Sequence, residues 1–285
     1  MAHHTIKQQY RDLADRINRF PQGAPPTELL FQILKMLFSE QEAGYVSLLP
    51  IKPFTLKTAM RIWKTSERES RKRLDRLASR GLLCDVTKDD QSIYTLPPPM
   101  AGFFEFSLMR VRKDIDQKKL SELFYQYLNV EPDFIRELFT RGETQLGRTF
   151  VNEAALEQSD IIEVLDYERA SHVIESATHI AIGDCYCRHK MLHIGKACDN
   201  PMEICMTFNS TAETLIKHGI ARKIDSVECR DLLQSADEHR LVQFGENVQK
   251  RVNFICNCCG CCCEALLAAK RFGMHHPVHT TDYIP

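Results

Sequence analysis

"TLKTAMRIWKTSERESRKRLDRLASRGLL", residues 55–83, reads as two helices joined by a short turn. Thr55 is placed to cap a first helix ending near Trp63, and "KTS" (64–66) is the turn. Ser66 and Glu69 form S-x-x-E, the capping-box pattern that satisfies orphan N–H groups at a helix start. Leu74, Leu77 and Ala78 then recur on one helical face, and Gly81 can end the helix. "LLCDVTKDDQSIYTL" (82–96) follows as strand, polar turn and strand, a hairpin pattern. Upstream, "TELLFQILKMLFS" (27–39) is a strongly apolar helix.

Helix, helix, turn, helix, hairpin is the order of a winged helix-turn-helix, expected over 27–97 and closed by "PPP" at 97–99. Residues 5–20 read as a further helix with Leu13, Ile17 and Phe20 on one face, ended by "PQGAPP" (21–26). "EAGYVSLLPIKP" (42–53) reads as a loop. Between residues 57 and 80 nine Lys/Arg face three acids, a local excess hidden within a formal net charge of −1. Arg68, Arg71, Lys72 and Arg76 lie on the second helix of the pair. They suit phosphate and major-groove contact, or else an ordinary solvated basic face.

The middle of the chain, 101–183, mixes helix and strand. "IDQKKLSELFYQYL" (115–128) and "ERASHVIESA" (168–177) read as helices; "RTFVN" (148–152), "IIEVLDY" (161–167) and "HIAIG" (179–183) read as strands. Further on, "STAETLIKHGIA" (210–221) is a helix, Ser226 is placed to cap another over 226–241, and "VNFI" (252–255) is a strand. "EALLAAKRFG" (264–273) is a helix with Gly273 at its end. The expected fold class is α+β: a winged helix-turn-helix-like domain over 1–100, a mixed α/β region over 101–183 and a cysteine-rich metal-cluster domain over 184–285.

Ten of the twelve cysteines fall in two clusters; Cys84 and Cys229 stand alone and read as small buried apolar residues. The first cluster is Cys185, Cys187, Cys198 and Cys205. The second, "CNCCGCCC" (256–263), holds Cys256, Cys258, Cys259, Cys261, Cys262 and Cys263. The composition, 44% hydrophobic and 26% charged, suits a soluble globular chain. The N-terminal segment lacks the apolar core of a secretory signal, and no apolar run is long enough to span a membrane. The expected compartment is therefore the cytoplasm, where thiols stay reduced and clustered cysteines point to metal. Adjacent cysteines are also too close for good disulfide geometry.

Four thiolates complete a tetrahedral zinc site or a [4Fe–4S] cubane. In an extended Cys-x-Cys, the side chains of Cys185 and Cys187 share a face. Six thiols on so short a loop are expected to split into two sets, 256/259/262 and 258/261/263, each facing a different centre with upstream cysteines completing the ligation. Iron–sulfur is favoured, because zinc knuckles are usually more separated; zinc and redox disulfides are the alternatives. Two cubanes need eight thiols, two fewer than the clusters supply.

"CYCRHKMLHIGKACDNPMEIC" (185–205) followed by "ICNCCGCCC" (255–263) resembles a family of microbial 4Fe–4S-binding, ferredoxin-type proteins. The likeness extends to the winged-helix-like front and to "GFFEFSLMR" (102–110), with the cysteine motifs its most specific part. It implies iron–sulfur cofactors rather than a particular reaction. Members often continue into a two-cluster ferredoxin domain; "HTTDYIP" (279–285) stands where that extension would begin, so a ferredoxin domain or subunit is an expected partner.

His189 and His193 read as residues around the first cluster rather than ligands, and His275, His276 and His279 as a mobile tail. Arg188 and Lys190 flank Cys187 and either offset cluster charge or are simply solvated. No phosphate-binding, dinucleotide-binding or nucleophile-elbow motif occurs, which leaves independent ATP, NAD or hydrolase chemistry without support. The expected function is electron transfer by a protein with two [4Fe–4S] clusters, as a carrier or oxidoreductase subunit serving a redox partner protein. The alternatives are a cluster-containing redox-sensing transcription regulator, which would bind DNA, and a zinc-held interaction module.

Overall fold

The structure, a computed structural model, describes residues 7–20, 22–140, 147–153, 169–248 and 250–272. The chain is mixed α+β, with two antiparallel sheets among the described residues, and forms two compact units, Met1–Phe134 and Ile135–Pro285. Sequence patterning drew boundaries at 100 and 183 instead. Aromatic packing explains why the first unit runs past 100: the Phe104 ring lies 5.0 Å from Phe103 and 4.9 Å from Phe124, and Tyr127 stacks on Phe134 at 5.3 Å.

In the first unit, α1 (Gln8–Ile17) buries Leu13, Ala14 and Ile17, and α2 (Glu28–Leu37) buries Leu30, Ile33, Leu34 and Leu37. Next comes α3 (Glu40–Ser47), where a loop was expected. A complete capping box starts it: the Ser39 hydroxyl accepts from Glu42 N–H at 3.3 Å and the Glu42 carboxylate accepts from Ser39 N–H at 2.9 Å. A short β1 (Phe54–Thr55) leads into α4 (Leu56–Trp63), which Thr55 caps. Lys64 takes a left-handed φ of 51° at the turn. Ser66 then caps α5 (Glu67–Ala78) through Glu69 N–H, but the Glu69 carboxylate accepts from Arg73 Nε at 3.0 Å, so only half of the expected box forms.

The hairpin of β2 (Cys84–Lys88) and β3 (Gln91–Thr95) turns at Asp89 and Asp90, both at positive φ as a two-residue type I′ turn requires. β1 adds to it, giving the order β1-β3-β2 with Phe54 opposite Tyr94. Beyond the hairpin lie α6 (Phe104–Phe106), a single turn, and α7 (Gln117–Tyr125); α8 (Asp133–Thr140) begins where the two units divide.

In chain order the second unit contains β4 (Gly147–Thr149), α9 (Ala170–Ser176), β5 (Ile180–Asp184), α10 (Tyr186–His193), β6 (Glu203–Phe208) and α11 (Asn209–Lys217). There follow β7 (Arg222–Lys223), α12 (Ser226–Glu238), β8 (Val242–Glu246), β9 (Phe254–Cys258) and α13 (Glu264–Phe272). The expected strand at 161–167 lies outside the described residues. Asp225, rather than Ser226, caps α12, accepting from Val227 and Glu228 N–H at 2.9 Å.

The strands form one antiparallel sheet, β4-β8-β9-β6-β5-β7. Ile180, Ile182, Met206, Phe208 and Ile255 project from one face into a core with Val173, Ile174 and Cys229 from α9 and α12. Strand alternation puts Cys205, Cys256 and Cys258 on the opposite face. The sheet thus separates an apolar core on one face from a thiol-bearing face on the other.

Candidate metal centre

Two strand-to-helix junctions deliver the cysteines. At the first, β5 ends and Cys185 becomes the N-cap of α10, its N–H donating to Met202 O at 2.7 Å. Cys187 therefore lies in the first helical turn, so the shared face that an extended Cys-x-Cys would give does not apply here. At the second, β9 ends at Cys258, residues 259–262 turn, and Cys263 N–H donates to Cys259 O at 3.2 Å before α13 begins. The Cys263 thiol accepts from the Leu266 and Ala265 N–H groups at the start of α13. A helix N-terminus favours negative charge, so this position suits a thiolate.

The turn sorts the thiols into two groups. Cys198, Cys259, Cys261 and Cys262 form a tetrad whose Sγ atoms all lie within 4.8 Å of one another. Cys198 Sγ is 3.7 Å from Cys259 Sγ and 3.8 Å from Cys262 Sγ, and Cys262 Sγ is 3.8 Å from Cys261 Sγ. The other group is a chain of contacts. Cys187 meets Cys185 and Cys263, Cys263 Sγ lies 3.2 Å from Cys258 Sγ, and Cys258 meets Cys256. Cys205 shares the sheet face of Cys256 and Cys258. The β6–β9 register, Met206 opposite Ile255, carried one residue further sets Cys205 opposite Cys256.

The expected sets 256/259/262 and 258/261/263 are therefore not the ones formed. Cys256 and Cys258 follow the two-residue period of β9, whereas the turn gathers Cys259, Cys261 and Cys262 on one side. Adjacent cysteines do part at 258/259, as expected, but not at 261/262. Sequence spacing contains no signal for that turn geometry.

Charge is unevenly shared within each group. Burial pushes the Cys198 thiol up, but the Asn200 N–H and side-chain amide, with Cys261 and Cys259, outweigh it and bring it to about 6. Burial, Cys259 and Cys198 push Cys261 up to about 11. In the other group, Cys187 and Cys258 hold Cys263 well below its ordinary value against the opposing effect of burial. Each group thus already contains a thiol that favours the anionic, metal-ligating form.

Basic side chains lie among these thiols. Arg188 is fully buried; its Nη1 and Nη2 donate to Pro201 O and Asn257 O, both at 2.8 Å. Lys190 pairs with Glu264, a buried ion pair that ties α10 to α13. Neither Arg188 nor Lys190 is a solvated residue, which removes one of the two readings left open by sequence. His189 is buried and stacks on the His193 ring, with centroids 4.9 Å apart.

The donor set fits a thiophilic metal. Four thiolates bound to one tetrahedral ion at about 2.3 Å lie about 3.8 Å apart, the spacing found in the tetrad. The second group, more extended and at least as rich in thiols, offers ligands on several sides. Burial pushes the Cys84 and Cys229 thiols up to about 12, and Cys229 Sγ packs 3.8 Å from Met206 Sδ. His275, His276 and His279 lie outside the described residues. No helix among the described residues is long and apolar enough to cross a membrane. No family model, curated protein or solved structure matches the chain.

Proposed function

We propose that the second unit is an iron–sulfur module that carries electrons between two adjacent metal centres and a redox partner protein. The division of Cys258 and Cys259 between different thiol groups carries this reading. Consecutive residues have Cα atoms about 3.8 Å apart, so centres held by these two groups would be near neighbours. Structural zinc needs no neighbour, whereas electron transfer benefits from one. The all-thiolate donors and partly buried setting suit [4Fe–4S] clusters. At the tetrad the thiols must move apart to take one, because each cysteine of a cubane binds a different iron and their sulfurs stand farther apart than the 4.8 Å found here. When bound, a cluster supplies reversible one-electron chemistry; the protein supplies thiolates, helix N-termini, the fixed charge of Arg188 and shielding from water.

The likeness to ferredoxin-type 4Fe–4S proteins rests on the cysteine motifs and agrees with this proposal. Anaerobic addition of dithionite tests it: a brown visible band should bleach and return on reoxidation. A colourless protein that takes up no electrons would sink the electron-transfer reading. Zinc is the competing occupant of the tetrad, because the sulfur spacing there is that of a single tetrahedral ion.

A second reading comes from the first unit. The order α4, turn, α5, hairpin, with β1 completing a β1-β3-β2 sheet, supports a winged helix-turn-helix and hence a redox-sensing DNA-binding regulator. Much of the basic charge of α5 and of Arg80 just beyond it is already paired, however. Arg71 binds Glu67, Arg73 binds Glu69 and lies over the Tyr45 ring, and Arg76 and Arg80 both bind Glu42. Arg68 and Lys72 are exposed on the same helix. Electrophoretic mobility shift with the metal-loaded protein distinguishes the readings: a regulator retains a specific duplex and releases it on a change of metal state, and a carrier does neither.

A further inference from the structure

We propose that Arg188 is a positioning residue shared by both thiol groups, one buried positive charge that offsets the negative charge of each metal centre. The inference rests on the reading of these groups as metal centres. Arg188 lies in α10, three residues after Cys185, and is 0% exposed. The two carbonyls it binds belong to different segments, Pro201 before β6 and Asn257 within β9. They orient the guanidinium without neutralising it, and Nε has no hydrogen-bond partner.

These two carbonyls set the guanidinium between the groups: Pro201 follows Cys198 of the tetrad by three residues, and Asn257 stands between Cys256 and Cys258 of the other group and two residues before Cys259. The Cys185, Cys259 and Cys198 thiols act with this placement to favour its charged form against burial. A buried cation needs nearby negative charge. With metal bound, the ligating thiolates of both groups supply that charge. The planar fork is also the side chain best suited to holding two fixed carbonyls while facing a third direction. A four-thiolate centre is anionic, and reduction makes it more so. Arg188 therefore strengthens retention of metal at both sites and favours the reduced state of any redox-active centre.

The test uses the full chain with its native metal and compares Arg188→Gln and Arg188→Lys with the wild type. Metal release to a chelator is followed at both centres, with the midpoint potential wherever the metal is redox-active. Gln should release metal about tenfold faster from both centres, the scale of loss typical of residues that support metal ligands, and should be reduced at a lower potential. Lys keeps the charge and should restore much of the wild-type potential and retention. A folded Gln variant with unchanged release, or with a change at only one centre, overturns the proposal. If the Gln variant fails to fold, Lys decides: restored folding and retention support the charge, and an identical failure rejects it. If the wild type proves to hold zinc without sulfide, the iron–sulfur reading falls while the release rates still decide the role of Arg188.

Discussion

Cys258 and Cys259 are adjacent, yet the first contacts Cys263 and Cys256 and the second contacts Cys198. Single substitutions should therefore empty different centres. Cys259→Ala is expected to lower metal content by one centre and to loosen the C-terminal segment, because metal binding and folding are coupled. Cys258→Ala should deplete the other centre. Metal analysis of the two variants checks the assignment, and unchanged stoichiometry in Cys259→Ala would remove it from the tetrad. Lys190 and Glu264 form the other residue-scale determinant. Breaking a buried ion pair from one side costs about 3–5 kcal/mol, so Lys190→Met should strongly lower the denaturation midpoint of the second unit. Adding Glu264→Gln to it should recover part of that loss, since no unpaired buried charge then remains. The residue types of the site were readable from sequence, including all four members of the tetrad. Their grouping was not, because it depends on a turn at 259–262 that brings Cys198 into contact from 61 residues away.

The pair of S-x-x-E patterns shows the same limit at the level of elements. At 66–69 the pattern identifies a real helix start, although Glu69 turns to Arg73. At 39–42 it forms the full capping box, yet the apolar run before it and "SLLPIKP" after it made the segment read as helix end and loop. β6 was missed for a different reason: Cys205 drew attention as a ligand, while the alternation Ile204, Met206, Phe208 marks the core face of a strand. Glu42 makes α3 testable. Burial pushes its carboxyl up, but the Ser39 N–H and Arg80 outweigh this and leave it below the ordinary range. A depressed carboxyl stabilises the fold above its unfolded value, and that stability is lost as pH falls through the folded value. Acidification should therefore weaken the first unit, and Glu42→Gln should flatten this dependence while costing about 1–3 kcal/mol at neutral pH. Trp63, the single tryptophan, donates its indole N–H to Tyr45 O in α3 at 3.0 Å, so its fluorescence reports the transition. An unchanged acid limb in Glu42→Gln would show that other groups govern it.

Across the whole molecule, patterning was sufficient for the α+β class and for the helix–turn–helix and hairpin, whose signals are local. The six-stranded sheet was not legible as a sheet, since three of the pairings in its order β4-β8-β9-β6-β5-β7, namely β4–β8, β6–β9 and β5–β7, join strands that are not consecutive in sequence. That sheet gives the second unit its central feature, an apolar core on one face and cysteines on the other. The most direct test of two thiolate metal centres is elemental: iron, zinc and acid-labile sulfide per chain in protein purified without oxygen. About eight irons and eight sulfides are expected for two cubanes. Zinc without sulfide would contradict the iron–sulfur assignment, and the absence of any bound metal would contradict both centres.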